Sequence, residues 1–83
     1  MELTIYPHIS AARRDGYISA SEAARVLGVS RQYAHRLKTR DDWPPVAAMH
    51  MYRAFAHPLY RLTDVLVWRD QRDAKRELTL FSS

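Results

Sequence analysis

The densest group of side chains that could recognise another molecule lies between residues 30 and 40. Six of its positions carry no aliphatic side chain, and two more basic residues follow: Ser30, Arg31, Gln32, Tyr33, His35 and Arg36, then Lys38 and Arg40. An arginine side chain can pair with both acceptors of guanine in the DNA major groove, and glutamine can pair in the same way with adenine. On a helix, this segment would present a cationic face rich in hydrogen-bond donors. The sequence therefore predicts a surface that contacts DNA.

Catalytic and metal chemistry lack comparable signals. The four histidines, at positions 8, 35, 50 and 57, include no pair at the spacing of a helical metal site, and the chain has no cysteine. Ser21 and Ser30 are interpreted as helix-capping or phosphate-contacting serines, not as nucleophiles. We therefore expect no enzyme activity, no metal and no cofactor.

The positive charge is concentrated in the middle of the chain. The 83 residues carry a net charge of +4, and seven basic residues stand against two acids between Arg25 and Arg61. The two flanks together carry a net charge of −1. This distribution favours a cationic binding face over a uniformly basic surface. The absence of cysteine and of a long apolar run predicts a cytoplasmic protein without a membrane span.

Two short helices joined by a glycine turn are predicted to position this face. Ser19 and Glu22 have the spacing of a capping box, and Gly28 stands where a helix end favours a left-handed residue. A second helix is expected from Ser30 to about Arg40, before Pro44 and its neighbouring proline. The apolar positions match a helix-turn-helix, with a small residue at the crossing: Ala23, Ala24, Leu27, Val29, Ala34 and Leu37.

The other elements are predicted as follows. Strands are expected over 2–6, 17–18, 46–52 and 59–62, a helical turn over 7–16, and a loop over 53–58. A last helix capped by Thr63 is expected to reach Arg76 or Glu77, and a final strand to cover 78–81. The residues expected in the core are Trp43, Leu62, Val65, Leu66 and Trp68.

The chain is long enough for a single small domain. Residues 17–77 are predicted to form the DNA-binding domain, with 1–16 as an N-terminal strand and turn and 78–83 as a C-terminal tail. An unpaired strand is costly to leave exposed. The terminal strands are therefore expected either to pair with a neighbouring subunit during self-association on DNA or to complete a sheet within the chain.

Several motifs together resemble the phage excisionases, or recombination directionality factors, and especially those of actinobacteriophages. The motifs are the Leu27–Ser30 turn, the Arg36-Leu37 pair, the Asp42–Pro45 loop, the Tyr60–Leu62 strand and the Asp64-Val65…Trp68 helix. The resemblance covers about residues 18–72 and extends to MerR-type regulators. It implies a mainly α winged helix-turn-helix fold with a small β wing. It also implies a protein that binds and bends double-stranded DNA near an attachment site and directs a tyrosine integrase towards excision.

The expected wing departs from the family pattern because residues 51–58 contain no glycine. A wide loop is therefore predicted in place of a tight hairpin. The resemblance implies a minor-groove contact for Arg53, and Tyr52 is the weaker candidate.

Two alternative functions remain open at this stage. One is a small prophage transcription regulator of the same fold. The other is a protein-interaction module whose basic face meets an acidic partner.

Overall fold

The computed structural model describes the backbone of residues 3–82 and the side chains of residues 3–75. Four helices and four strands are present in this part of the chain. In order they are β1 (Thr4–Tyr6), α1 (Ile9–Arg14), β2 (Tyr17–Ser19), α2 (Ala20–Leu27), α3 (Arg31–Leu37), β3 (Ala48–Tyr52), β4 (Phe55–Arg61) and α4 (Leu62–Ser82).

The four strands form one mixed sheet in the order β1-β3-β4-β2. Strand β1 runs parallel to β3, with Ile5 opposite Met49, and the other neighbouring strands are antiparallel. The predicted N-terminal strand is therefore confirmed, and its partner is β3 of the same chain. The expected fold is shown in part: helices and a β hairpin are present, but they belong to a small α/β fold with a four-stranded mixed sheet and not with a wing alone. Strands β1 and β2 are three residues each. Alternation of polar and apolar residues over so short a segment does not show that the strand joins the hairpin in one sheet.

Helices pack on both faces of the sheet. Leu59 and Tyr60 are consecutive residues of β4, so their side chains point to opposite faces. Leu59 packs with Ala12 and Ala48 in a small cluster beside α1. Tyr60 belongs to a larger cluster formed by α2, α3, α4 and the loop before β3, with Ile18, Ala23, Leu37, Trp43, Val65 and Trp68. The predicted core positions Trp43, Val65 and Trp68 are confirmed, whereas Leu62 and Leu66 are only partly buried.

The α2–α3 pair has the local geometry that the sequence predicts. The backbone N–H of Glu22 donates to Ser19 Oγ and the backbone N–H of Ser19 donates to the Glu22 carboxylate, which completes the capping box. Gly28 ends α2 with φ of 70°, in the left-handed region that glycine adopts at low cost. Helix α3 ends at Leu37, earlier than the predicted limit near Arg40.

The β3–β4 hairpin has a tight turn, so the predicted wide loop was wrong. Tyr52 pairs with Phe55, which leaves only Arg53 and Ala54 in the turn. Arg53 itself adopts the left-handed conformation, with φ of 57°. Such a residue costs about 1–2 kcal/mol without glycine, and the cross-strand pairs of the hairpin offset that cost. Strand β4 consequently begins at Phe55 and not at Leu59.

Helix α4 is longer than predicted. It begins at Leu62, one residue before the expected cap at Thr63, and continues to Ser82. The predicted strand over 78–81 was therefore wrong. The alternation of Leu78, Thr79 and Leu80 is compatible with a strand, but Leu78 and Phe81 also have the three-residue spacing of one helix face. Within residues 3–82, no helix combines the length and the apolar character needed to cross a membrane.

Candidate nucleic-acid interface

Helix α3 turns its polar side away from the protein. Ala34 and Leu37 are buried, and they anchor the helix against the larger core cluster and α2. At 100° per residue, the side chains farthest from these two anchors are Gln32, His35 and Arg36. All three are exposed. We call these three residues the outer row.

The outer row and its cationic neighbour Arg31 are available for contacts with another molecule. Among the side chains at positions 3–75, neither Arg31 nor Arg36 forms an ion pair with an acid. Gln32 and His35 likewise form no side-chain hydrogen bond to other residues in that range. Ser30 is the N-cap of α3, where its Oγ accepts a hydrogen bond of 3.1 Å from the backbone N–H of Tyr33.

One flank of α3 faces the start of α2. Arg31, His35 and Lys38 follow each other at helical spacing, and they line a cavity of about 190 Å³ together with Ala20 and Ser21. Two cations and a histidine thus border a groove whose far wall is the first turn of α2. An anionic strand of a ligand would meet this groove beside the outer row.

A larger cavity, of about 420 Å³, connects α3 to the hairpin, and we call it the notch. Lys38 lines it from the C-cap of α3, Ser21 and Glu22 from α2 and Arg13 from α1, and Arg13 is paired with Glu22. The hairpin contributes His50, Tyr52 and His57. Lys38 borders both cavities and has no acidic partner within residues 3–75, so it links the surface of α3 to the β3–β4 hairpin.

Tyr33, on the other flank of α3, contacts α4. The Arg72 guanidinium donates a hydrogen bond to the Tyr33 hydroxyl, and its carbon lies 5.5 Å from the Tyr33 ring centre. The same guanidinium carbon lies 5.5 Å from the Trp68 ring centre. Tyr33 is 37% exposed. Its position shows that it fixes α3 against α4, a contact that the sequence did not predict.

Arg40 differs from the other predicted cations because it has an acidic partner. Its Nε lies 3.2 Å from Oδ1 of Asp42, and both side chains are about half exposed. An exposed pair of this kind contributes about 0–1 kcal/mol, so a phosphate can compete with Asp42 for the guanidinium. Arg40 is therefore a weaker candidate than Arg31 or Arg36.

Arg53 lies at the tip of the hairpin, exposed, with its guanidinium carbon 5.4 Å from the Tyr52 ring centre. No acidic residue occurs from Trp43 to Thr63, so the whole hairpin is free of negative side chains. The predicted residues thus fall into three places: the surface of α3 with Lys38, the turn after it with Arg40, and the hairpin tip with Arg53. Tyr52 and the notch connect the surface of α3 to the hairpin tip.

The sequence reasoning missed two histidines of this surface. His50 and His57 are cross-strand partners with ring centres 6.4 Å apart. A wide loop over 53–58 would have kept them apart. The length of a hairpin turn fixes which residues of the two strands are opposite each other. A two-residue turn at 53–54 places position 50 opposite position 57.

No group of three metal-binding side chains occurs among the residues that the structure describes. Comparison of the chain with models of known families, with curated proteins and with solved structures gives no match.

Proposed function

We propose that this protein binds double-stranded DNA as a winged helix-turn-helix protein. In this proposal, α2 and α3 are the helix-turn-helix, α3 enters the major groove, and the β3–β4 hairpin is the wing. The observation that carries the proposal is the outer row of α3, where Gln32, His35 and Arg36 are exposed and Arg36 has no acidic partner within residues 3–75. This combination of side chains supplies the donors that base edges accept.

The charge around α3 supports the same proposal. Arg31 and Lys38 flank the outer row, and the acid-free hairpin extends the cationic surface. Double-stranded DNA carries one negative charge for about every 1.7 Å of helix axis. Arg31, Lys38 and Arg53, which have no acidic partner within residues 3–75, supply cations for these phosphates.

Each predicted residue receives a role in this proposal. The outer row meets base edges, while Arg31 and Lys38 contact phosphates from the flank. Ser30 presents the first turn of α3, and Tyr33 holds α3 against α4 through Arg72. Arg40 exchanges Asp42 for a phosphate, and Arg53 contacts the backbone or the minor groove.

Selection from a library of random duplexes tests DNA binding directly. We expect the purified protein to enrich one short motif, and to bind a duplex containing it more tightly than a scrambled duplex of equal composition. Equal affinity for the two duplexes, or no enrichment, would contradict sequence-specific binding. It would favour the interaction of the basic face with an acidic protein instead.

We propose further that DNA binding serves phage-type excision, on the basis of the sequence motifs that resemble excisionases. The test is an excision reaction in vitro with a tyrosine integrase and attachment-site DNA from the same genome. We expect recombination to depend on added protein. Specific DNA binding that leaves excision unchanged would point to a small transcription regulator of the same fold.

We also propose that copies of the protein assemble side by side on DNA. Strand β1 is an edge strand of the sheet, so one of its sides has no neighbouring strand within residues 3–82. Free backbone groups on such an edge can pair with another chain. Binding to a duplex with two adjacent motifs should be cooperative, and equal affinity per motif on one-site and two-site duplexes would contradict assembly.

A further inference from the structure

The tip of the β3–β4 hairpin carries two exposed aromatic rings. Phe55 is 68% exposed and Tyr52 is 55% exposed. They are cross-strand partners that flank the two-residue turn. A single exposed apolar side chain is ordinary in a soluble protein, but an aromatic pair at the end of a projecting hairpin is a concentrated apolar surface.

The fold does not use Phe55 for its own packing. Phe55 belongs to neither core cluster, and it makes no aromatic contact with another ring among the described side chains. Tyr52 differs, because the Arg53 guanidinium lies over its ring. Phe55 is therefore the apolar group of the tip that is most open to insertion into a partner.

The side of the hairpin that carries this pair faces the same way as the notch. Side chains two residues apart on a strand share a face, so Tyr52 and Phe55 lie on the side that also carries His50 and His57. His50, Tyr52 and His57 line the notch together with Lys38 at the end of α3. This side is also the one on which Leu59 packs beside α1, and Lys38 reaches it from the C-cap of α3. A polyanion that contacts Lys38 in the notch would therefore run along this side of the hairpin towards its tip.

The surroundings of Phe55 favour a polyanion over an apolar protein partner. Arg53 is adjacent in the turn, and no carboxylate occurs from Trp43 to Thr63. Cationic side chains beside an apolar wedge are the combination that minor-groove proteins use to unstack a base step and bend the duplex.

We propose that Phe55 is such a wedge: it enters the minor groove, partly unstacks one base step and bends the DNA. This inference rests on the proposed DNA binding and adds to it the residue that produces the bend. Arg53 and Tyr52 hold the neighbouring backbone while Phe55 inserts. Because pyrimidine–purine steps unstack most easily, the wedge should select a TA or CA step next to the sequence that α3 contacts.

The experiment uses the full chain and the duplex enriched from the random library. Donor and acceptor dyes at the two ends of the duplex report the bend, and 2-aminopurine, placed in turn at each step beside the α3 motif, reports unstacking. Phe55→Ala and Phe55→Val remove the ring, and valine preserves the preference for a strand. Val67→Ala is the matched control, because Val67 is an apolar residue of α4 that is 54% exposed.

We expect wild type and Val67→Ala to bend the duplex and to brighten 2-aminopurine at one step. Both Phe55 variants should retain the sequence that α3 contacts but lose the preference for a TA or CA step beside it. They should also lose the brightening and reduce the bend by about half or more. A bend and brightening equal to wild type in a folded Phe55→Val would overturn the proposal. So would a Phe55 variant that changes only self-association in sedimentation, because the ring would then contact protein.

These outcomes separate the wedge from DNA binding itself. Unchanged bending by the Phe55 variants, with motif enrichment intact, overturns the wedge alone. Failure of the wild type to enrich any motif overturns both proposals.

Discussion

Residues of one type differ in this protein according to the neighbours that the fold gives them. Arg36 is exposed without an acidic partner among residues 3–75, Arg40 is paired with Asp42, and Arg72 lies between Tyr33 and Trp68. These three arginines are indistinguishable in the sequence, but the structure gives them different roles. Arg36 is a hydrogen-bond donor open to a partner, Arg40 is a weakly paired cation, and Arg72 is a packing residue. Substitutions at these positions should therefore have different consequences.

Arg36→Ala should weaken binding to the enriched duplex by about 1–3 kcal/mol, because it removes a donor from the outer row of α3. Fluorescence anisotropy with a labelled duplex measures the loss. Arg14→Ala, at an exposed arginine in the last turn of α1, is the matched control and should change affinity little. Equal losses in the two variants would show that only total charge matters.

Tyr6 provides a test of the packing between β1 and α1. Its hydroxyl donates a 2.6 Å hydrogen bond to Asp15, and this bond, helped by partial burial and the negative charge of Asp15, raises the pKa of Tyr6 to about 12. The raised pKa means that folding favours the protonated tyrosine. Its contribution to stability is therefore complete below pH 10 and is lost as the pH rises towards 12.

Urea unfolding of wild type and Tyr6→Phe across this range isolates the effect. We expect the stability advantage of wild type over Tyr6→Phe to shrink as the pH rises through this window. An advantage that is constant with pH would show that the Tyr6–Asp15 bond does not form in solution.

At the scale of the elements, short signals place the two helices of the proposed DNA-binding unit. Ser19 begins α2, Gly28 ends it and Ser30 begins α3, each through a backbone contact within three residues of itself. Such signals are local, so they can be predicted from the sequence without knowledge of the tertiary structure.

Ser19→Ala should lower the free energy of unfolding by about 1 kcal/mol, because it leaves the Glu22 backbone N–H without its cap. Ser21→Ala is the matched control, since Ser21 is exposed and its side chain forms no hydrogen bond within residues 3–75. Denaturant titration of both variants measures the difference. Equal stabilities of the two variants would contradict a stabilising capping box.

The elements that the sequence did not predict depend on distant partners. Residues 4–6 were predicted as a strand, but only the fold shows that β3, more than forty residues away, is their neighbour. The tight turn at Arg53 was missed because a non-glycine residue accepts a left-handed conformation there, and the pairing of His50 with His57 was missed with it. Arg72 was missed because its contact with Tyr33 spans 39 residues.

At the scale of the whole molecule, the described cations divide into paired and unpaired groups. Arg13 pairs with Glu22, Arg40 with Asp42 and Arg69 with Asp70. Within residues 3–75, the cations of the proposed interface that lack such a partner are Arg31, Arg36, Lys38 and Arg53. DNA binding should depend mainly on these four.

The salt dependence of binding measures how many of them contact phosphates. Arg31, Lys38, Arg40 and Arg53 supply four phosphate contacts, and a contact of Arg36 with a phosphate beside its base makes five. Five contacts predict a slope of log affinity against log salt of about −4 to −5, and loss of the Arg40 contact reduces it to about −3.5. Asp42→Asn should free Arg40 and steepen the slope by up to about one unit if wild-type Arg40 remains paired. A slope near zero would contradict binding through this surface.

The adjacency of Leu59 and Tyr60 on β4 has a consequence for how the molecule melts. One peptide bond joins the two clusters, so neither layer can loosen without disturbing the strand that the other requires. Calorimetry should record a single cooperative transition in which the N-terminal strand and α3 are lost together. A mutation that damages the α1 side should therefore weaken DNA binding by lowering the folded population, although it lies on the opposite face of the sheet from α3.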